Sequence, residues 1–335
     1  LIFPIRVKEV QLYCPTRPVS ERVKCHLRIR EITSTQIRAD IDVIRPNGQL
    51  WMRVIGWEDW RFYFPRNLFD FWRFPNKGMV STSWDAPLST MPPHVAKTVE
   101  CFQLTGFWEL QNTIWETVWA YLIANRQERK AYWQLKEKKA DKRRMEWLFG
   151  RTAAKDAVRV YIQKRFSKEV YPADIEIVPD EYGKPMVCGE WTEDLLVPSI
   201  TLTHTGKTAV ALVGPYPYLG IDIEQMGHSQ IDVESHAFTQ AEQELLKGLT
   251  PDVREEWCLR LWCSKEAVGK AFGRGVLGQF KNIVVQSFEV DTGVVQLRLQ
   301  GELSEIYPDF ANASIIAYTI RANDFILAVS LGEKV

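Results

Sequence analysis

The sequence predicts an α+β protein built in two parts. Residues 37–54 alternate apolar and polar side chains with period two, while residues 143–166 and 251–272 repeat apolar positions at helical spacing ahead of runs of short strands. Between these regimes, prolines and small polar residues cluster over 81–93, the composition of a linker. A length of 335 residues suits roughly two domains. With 46% hydrophobic and 25% charged residues the chain is globular, which excludes disordered and low-complexity classes. Lys plus Arg (42) balance Asp plus Glu (42), so no overall field attracts nucleic acid or a membrane surface, and any anion site must be local. No apolar run approaches a membrane span and no signal-peptide core is present; the opening Leu-Ile-Phe-Pro, without Met, reads as an excised fragment. Cys14, Cys25, Cys101, Cys188, Cys258 and Cys263 show no metal-ligand spacing and are expected to be reduced thiols of a cytoplasmic protein.

In the first part, Ile37, Ala39, Ile41 and Val43 form one face of a strand, Pro46-Asn47-Gly48 turns the chain, and Leu50, Met52 and Val54 continue the face. The aromatic run Trp57, Trp60, Phe62, Tyr63, Phe64, Phe69, Phe71, Trp72 is too dense to be left in water. A domain boundary is placed near residue 90. Beyond it, helices are expected over 115–133 and 143–166, where residues 126–168 hold fifteen Lys or Arg against five Asp or Glu. Strands follow over 175–178, 200–203, 209–213 and 219–223, then helices over 240–249 and 251–272. A hairpin about Asp291-Thr292-Gly293 and strands over 314–320 and 325–330 complete the chain. Residues 147–153 (WLFGRTA) and 261–267 (LWCSKEA) are weakly alike, which points to two related α+β halves joined near Gly220.

Asp222 and Glu224 sit two apart on a strand, so their carboxylates share a face while Ile221 and Ile223 enter the core. Two hard oxygen ligands on one face suit Mg²⁺, although alone the pair describes a solvated strand edge better than a metal site. Glu266 and Lys270 share a helix face at i, i+4; the plain alternative is a surface salt bridge of about 0.3–0.5 kcal/mol. Gly273-Arg274-Gly275 beyond them suits close ligand approach. Taken singly, Thr203-His204 before Gly206 is a strand end and Gly183-Lys184-Pro185 a turn.

Read in order, the basic stretch from Arg143 to Lys155, then Gly183-Lys184-Pro185, Thr203-His204, Gly220-Ile221-Asp222-Ile223-Glu224 and Trp262-Cys263-Ser264-Lys265-Glu266-Ala267-Val268-Gly269-Lys270, the chain resembles the 4′-phosphopantetheinyl transferases of the surfactin-synthetase type over residues 113–335. The resemblance implies a pseudo-dimer of two α+β halves with coenzyme A in the cleft between them, Mg²⁺ as cofactor and an acyl carrier protein as partner. It makes Asp222, Glu224 and Glu266 the metal ligands and Glu266 and Lys270 the catalytic pair. Coenzyme A would be held by Lys142, Arg143, Lys184, Pro185, Thr203, His204 and Lys270, with Thr203 and His204 together on its 3′-phosphate; which of Lys142, Arg143 and Arg144 reaches it stays open. Thr203 stands where the family more often has Ser.

Residues 3–13 with the hairpin through Gly48 are similar to the second hotdog half of a polyketide synthase dehydratase domain. The His and Asp that such an active site needs are absent, and His26 and His94 are read as structural or surface residues. The expected division is therefore a dehydratase-like segment over 1–90, a linker over 91–112 and a transferase over 113–335. The context is a polyketide synthase whose own carrier domain is a candidate substrate. A non-catalytic coenzyme A or carrier-docking module, or a dehydratase remnant, are the alternatives.

Overall fold

The computed structural model describes residues 2–14, 20, 22–61, 66–192, 195–227, 236–273 and 280–334. Arg274 and Gly275 of the expected glycine-rich tail, and Phe62, Tyr63 and Phe64 of the aromatic run, lie outside these residues. By its internal contacts the chain divides into Leu1–Arg66 and Asn67–Val335.

The first unit is an antiparallel sheet of β1 (Ile2–Arg6), β2 (Glu9–Leu12), β3 (Lys24–Ile32), β4 (Gln36–Ile44) and β5 (Leu50–Arg61), ordered β1-β5-β4-β3 with β2 also on β5. The expected hairpin is present: Ile41 faces Val54 and Val43 faces Met52, and Gly48 takes φ +84°, a conformation that glycine adopts without steric cost. Asp40 and Asp42 alternate with Ala39, Ile41 and Val43 onto the other face. There Asp42 accepts hydrogen bonds from Arg53 (2.6 Å) and Arg28 (2.7 Å), and the Arg53 bond first of all holds its carboxyl down at about 2.

The second unit begins earlier than the sequence implied. Residues 67–112, assigned to the hotdog segment and the linker, contribute α1 (Arg66–Arg73), β6 (Thr82–Ser83), α2 (Pro93–Ala96) and β7 (Glu100–Thr105). Strand β7 pairs with β6 and with β11 (Thr208–Gly214), which pairs in turn with β10 (Ser199–Thr205), giving a sheet ordered β10-β11-β7-β6. The boundary thus lies at 66/67 rather than near 90. The misleading prolines are helix starters, Pro87 and Pro93 standing in the first helical positions of a 3₁₀ turn and of α2. Ser81 is no linker residue either: its amide (2.9 Å) and hydroxyl (2.8 Å), with the Val80 amide (2.9 Å), donate to buried Asp156.

The helix expected over 115–133 is two helices, α3 (Ile114–Ile123) and α4 (Arg126–Glu137). Asn125 breaks it by accepting the Glu128 amide while Glu128 accepts the Asn125 amide, a reciprocal cap readable in N-R-Q-E. Helix α5 (Asp141–Phe166) packs on β11 and β7. The hairpin of β8 (Glu176–Pro179) and β9 (Pro185–Cys188) turns at Asp180, whose side chain accepts the amides of Tyr182 and Lys184, both at 2.9 Å.

Strand β12 (Gly220–Gln225) opens the second sheet, ordered β12-β16-β15-β14-β13, with β13 (Ile283–Phe288), β14 (Val294–Leu299), β15 (Ile315–Ala322) and β16 (Phe325–Lys334). Between β12 and β13 lie α6 (Gln240–Leu246) and α7 (Pro251–Ala271), and α8 (Gly301–Ile306) follows β14. The two sheets share one apolar cluster, Cys101, Val210 and Leu212 meeting Ile221, Ile223, Leu327 and Val329. Helix α7 packs on β12 and β16. At Gly220 the strand touches the helix: a Cβ there would stand 1.9 Å from the Ala267 carbonyl oxygen and 2.8 Å from the Ala271 amide nitrogen.

A repeat is present in the contacts, in a different register from the one read in the sequence. Lys155 on α5 bonds Glu128 and the Ile123 carbonyl, and Glu128 accepts the Ile177 amide; Lys265 on α7 bonds Glu242 and the Ala237 carbonyl, and Glu242 accepts the Val285 amide. Lys155 therefore matches Lys265, 110 residues on, so that AAKDAV aligns with CSKEAV and not WLFGRTA with LWCSKEA. The weaker match sets Arg151 against Lys265, one helical turn before Lys155.

Two outcomes check this description. In calorimetry a chain starting at residue 67 is expected to melt in one cooperative transition, whereas one starting at 113 lacks β7 and uncovers Asp156 and is expected to show none; a sharp melt of the shorter chain restores the later boundary. Gly220→Ala is expected to cost about 1–3 kcal/mol in urea unfolding, because the methyl group meets backbone and not a yielding side chain; an unchanged midpoint contradicts the close contact.

Candidate active site

Gly220, Asp222 and Glu224 share a strand parity, so the face that touches α7 through Gly220 also carries both carboxylates towards it. On α7, Glu266 and Lys270 are one turn apart. Lys270 bonds Asp222 rather than Glu266: Nζ lies 2.6 Å from Asp222 Oδ1 and 3.0 Å from Thr203 Oγ1, and the Thr203 hydroxyl lies 3.1 Å from the same Asp222 oxygen. Trp262 Nε1 donates to Glu224 at 3.4 Å.

One ammonium thus serves three partly or fully buried carboxylates. Burial pushes Glu266 up to about 7, the charges of Asp222 and Glu224 adding to it and Lys270 offsetting part. Glu224 is raised by burial and then by Asp222. Asp222 Oδ2 is buried with no hydrogen-bond partner among the described residues. Among the described residues no group of three or more His, Cys, Asp or Glu is arranged around a metal position. The donor set nevertheless fits a hard divalent cation, since an orphaned carboxylate oxygen and two under-neutralised glutamates are what such an ion satisfies.

Beside Lys270 a cavity of about 300 Å³ is lined by Arg151, Tyr182, Lys184, Pro185, Thr201 and Gly273, among others. Lys184 and Pro185 thus share this cavity with Lys270. Part of the Lys184 charge is spent locally, its Nζ donating to the Pro217 and Ala271 carbonyls at 2.8 Å each.

Thr203 and His204 do not act as a pair. Adjacent strand residues face opposite ways: Thr203 is buried against Asp222, whereas His204 is half-exposed with Nε2 3.5 Å from Glu146 on α5. Glu146 also stands 3.7 Å from Lys142, so Lys142 and His204 flank the same carboxylate. Arg143 is exposed. Arg144 is 1% exposed and bonded to Glu116, Asp141 and Asn112, which removes it from the candidates for anion binding. Lys155 and Arg159 are likewise buried, so part of the basic excess over 126–168 is internal wiring. His26 and His94 are exposed, and all six cysteines are thiols.

Arg151 was missed as a site residue. It lies on the wall of the cavity with its guanidinium over the Trp147 ring (5.5 Å), and its buried Nε makes no hydrogen bond, standing 3.6 Å from Glu128. In the sequence it lies within the basic stretch from Arg143 to Lys155, one turn before the buried Lys155, and no spacing there separates it from the other cations.

Residues 218–329 match the family model for the 4′-phosphopantetheinyl transferase superfamily. A 4′-phosphopantetheinyl transferase of Bacillus subtilis is 30% identical over 138 residues, 41% of this chain and 54% of the relative. The 4′-phosphopantetheinyl transferase Sfp of Bacillus subtilis (strain 168) is 26% identical over 152 residues, 45% of this chain and 60% of the relative. A holo-[acyl-carrier-protein] synthase of Bacillus pumilus (strain SAFR-032) is 39% identical over 74 residues, 22% and 60% of the two chains. The chain spans between 54% and 60% of the length of these curated relatives. The stretch that carries Asp222, Glu224, Glu266 and Lys270 is thus the stretch that is similar to the 4′-phosphopantetheinyl transferase superfamily.

Proposed function

We propose that the chain transfers the 4′-phosphopantetheine group of coenzyme A to a serine of an apo acyl carrier protein, releasing 3′,5′-ADP. The observation that carries this reading is the acidic group of Asp222, Glu224 and Glu266, short of positive charge and opening beside a cavity walled by Lys184, Lys270 and Arg151. A divalent cation bound by the three carboxylates would neutralise the pyrophosphate oxygens as the phosphorus–oxygen bond to ADP breaks. Lys270, at the junction of acid group and cavity, would leave Asp222 to meet a phosphate. Lys184 and Pro185 would border the nucleotide, with Arg151 supplying further charge. His204, Lys142 and Arg143 would grip the 3′-phosphate, while Thr203 would hold Asp222 in place as Lys270 moves. Glu266 would accept the serine proton, directly or through a water molecule, as the serine oxygen bonds to phosphorus.

The repeated Lys–Glu contacts of α5 and α7 support a pseudo-dimer of two α+β halves, with the cavity between Arg151 of one and Lys270 of the other. For Leu1–Arg66 the reading is a dehydratase-like hotdog remnant in a polyketide synthase, resting on its strand pattern and resemblance, with a carrier domain of the same synthase as a candidate substrate. No helix among the described residues is long and apolar enough to cross a membrane, and the six thiols favour a cytoplasmic setting.

Incubation with coenzyme A, Mg²⁺ and an apo carrier protein is expected to raise the carrier mass by one phosphopantetheine group, and excess chelator to abolish the gain. Carrier masses unchanged across several apo carriers contradict the reading. Glu266→Gln is expected to lower kcat by about 100-fold or more with little change in coenzyme A binding, whereas His204→Ala is expected to raise the KM for coenzyme A about tenfold. Equal losses of kcat in both variants refute the division of roles.

A further inference from the structure

We infer that Lys265 is a positioning residue: its buried ammonium fixes the rotation and height of α7 so that Glu266 and Lys270 meet Asp222 and Glu224. The inference rests on the transferase reading above. The Lys265 and Glu242 side chains are both 0% exposed, with Nζ 2.7 Å from Oε1 and 2.9 Å from Oε2 of Glu242 and 2.8 Å from the Ala237 carbonyl oxygen. Glu242 is held in turn, one oxygen accepting the Val285 amide and the other the Thr239 amide, each at 2.7 Å. Helix α7 is therefore pinned to α6, to the chain before it and to β13 at the residue immediately before Glu266.

Apolar packing does not need this device. Trp257, Leu261 and Val268 already bury α7 against the second sheet, and apolar contacts tolerate sliding that a bonded ammonium does not. A buried ion pair adds little net stability over an apolar replacement and is better suited to setting register. Metal ligation rewards such register, because ligand distances must hold to within about 0.2 Å.

The first half supplies an internal comparison. Lys155 makes the same contacts to Glu128 and Ile123, and the residue after it, Asp156, is also an acid. There the acid is consumed by the Val80 and Ser81 amides and the Ser81 hydroxyl. The same device thus sets an acid at the next position twice, and only Glu266 of the pair stands among unneutralised carboxylates.

Three variants test this. Glu242→Asp keeps both charges and draws the anchor back by one methylene. Glu242→Gln with Lys265→Met removes both charges together and leaves an oxygen for the Val285 amide. Lys155→Met is the comparison in the other half. Binding of Mn²⁺ in the presence of coenzyme A is read by the paramagnetic resonance of the free ion, alongside kcat and the KM for coenzyme A. The Glu242→Asp and double variants are expected to weaken Mn²⁺ binding about 10–100-fold and to lower kcat, with the KM for coenzyme A changed less than about threefold. Lys155→Met is expected to lower the melting temperature while leaving Mn²⁺ affinity unchanged. Wild-type Mn²⁺ affinity and kcat in a folded Glu242→Asp or double variant overturns the inference. If the unaltered chain neither binds Mn²⁺ with coenzyme A nor modifies an apo carrier, the transferase reading has failed instead.

Discussion

The site depends on one steric contact, the backbone of β12 against the backbone of α7 at Gly220. With 1.9 Å between a would-be Cβ and the Ala267 carbonyl oxygen, no side chain fits, and the strand and helix approach more closely than any larger residue permits. Small or slim neighbours extend the contact: Cys263 and Ala267 on α7 meet Ala328 of β16, which faces Asp222 across the strand pair. The carboxylates of one element and the acid and lysine of the other are consequently placed by main chain, which cannot shift rotamer.

That proximity carries an electrostatic cost which the fold leaves standing. Glu224 and Glu266 are both raised by burial and by neighbouring charge, and Lys270 meets only part of the deficit. Other buried charges among the described residues are closely paired: Arg144 has Glu116 and Asp141, Lys155 has Glu128, and Asp156 has Ser81 and Arg159. The partly neutralised acidic group of Asp222, Glu224 and Glu266 is the observation on which the proposed cation site rests. The two buried lysines show the contrast directly, since Asp156 follows Lys155 and Glu266 follows Lys265 and only Asp156 is capped by amides.

Much of this was legible in residue patterns. Period two gave the β4–β5 hairpin and the parity of Asp222 and Glu224, and helical spacing gave α5 and α7 to within a few residues. The resemblance named Lys184, Pro185 and Lys270 together, and the three line one cavity. What failed were the decisions taken from composition. Proline and serine over 81–93 looked like a linker because nothing in the sequence shows that Ser81 caps Asp156, a contact made across 75 residues. The basic excess about α5 looked like one anion-seeking face because a Lys committed to a buried Glu is indistinguishable in sequence from an exposed one. The resemblance set Thr203 and His204 together on one phosphate, and strand alternation turns their side chains to opposite faces.

The central claim, that β12 and α7 together form a cation site which presents coenzyme A to Lys270, is tested most directly by crystals grown with coenzyme A and Mn²⁺. Anomalous density is expected between the carboxylates of Asp222, Glu224 and Glu266, with the pyrophosphate beside Lys270 and the nucleotide against Lys184 and Pro185. Mn²⁺ density elsewhere, or coenzyme A bound away from this cavity with Lys270 still on Asp222, contradicts the account.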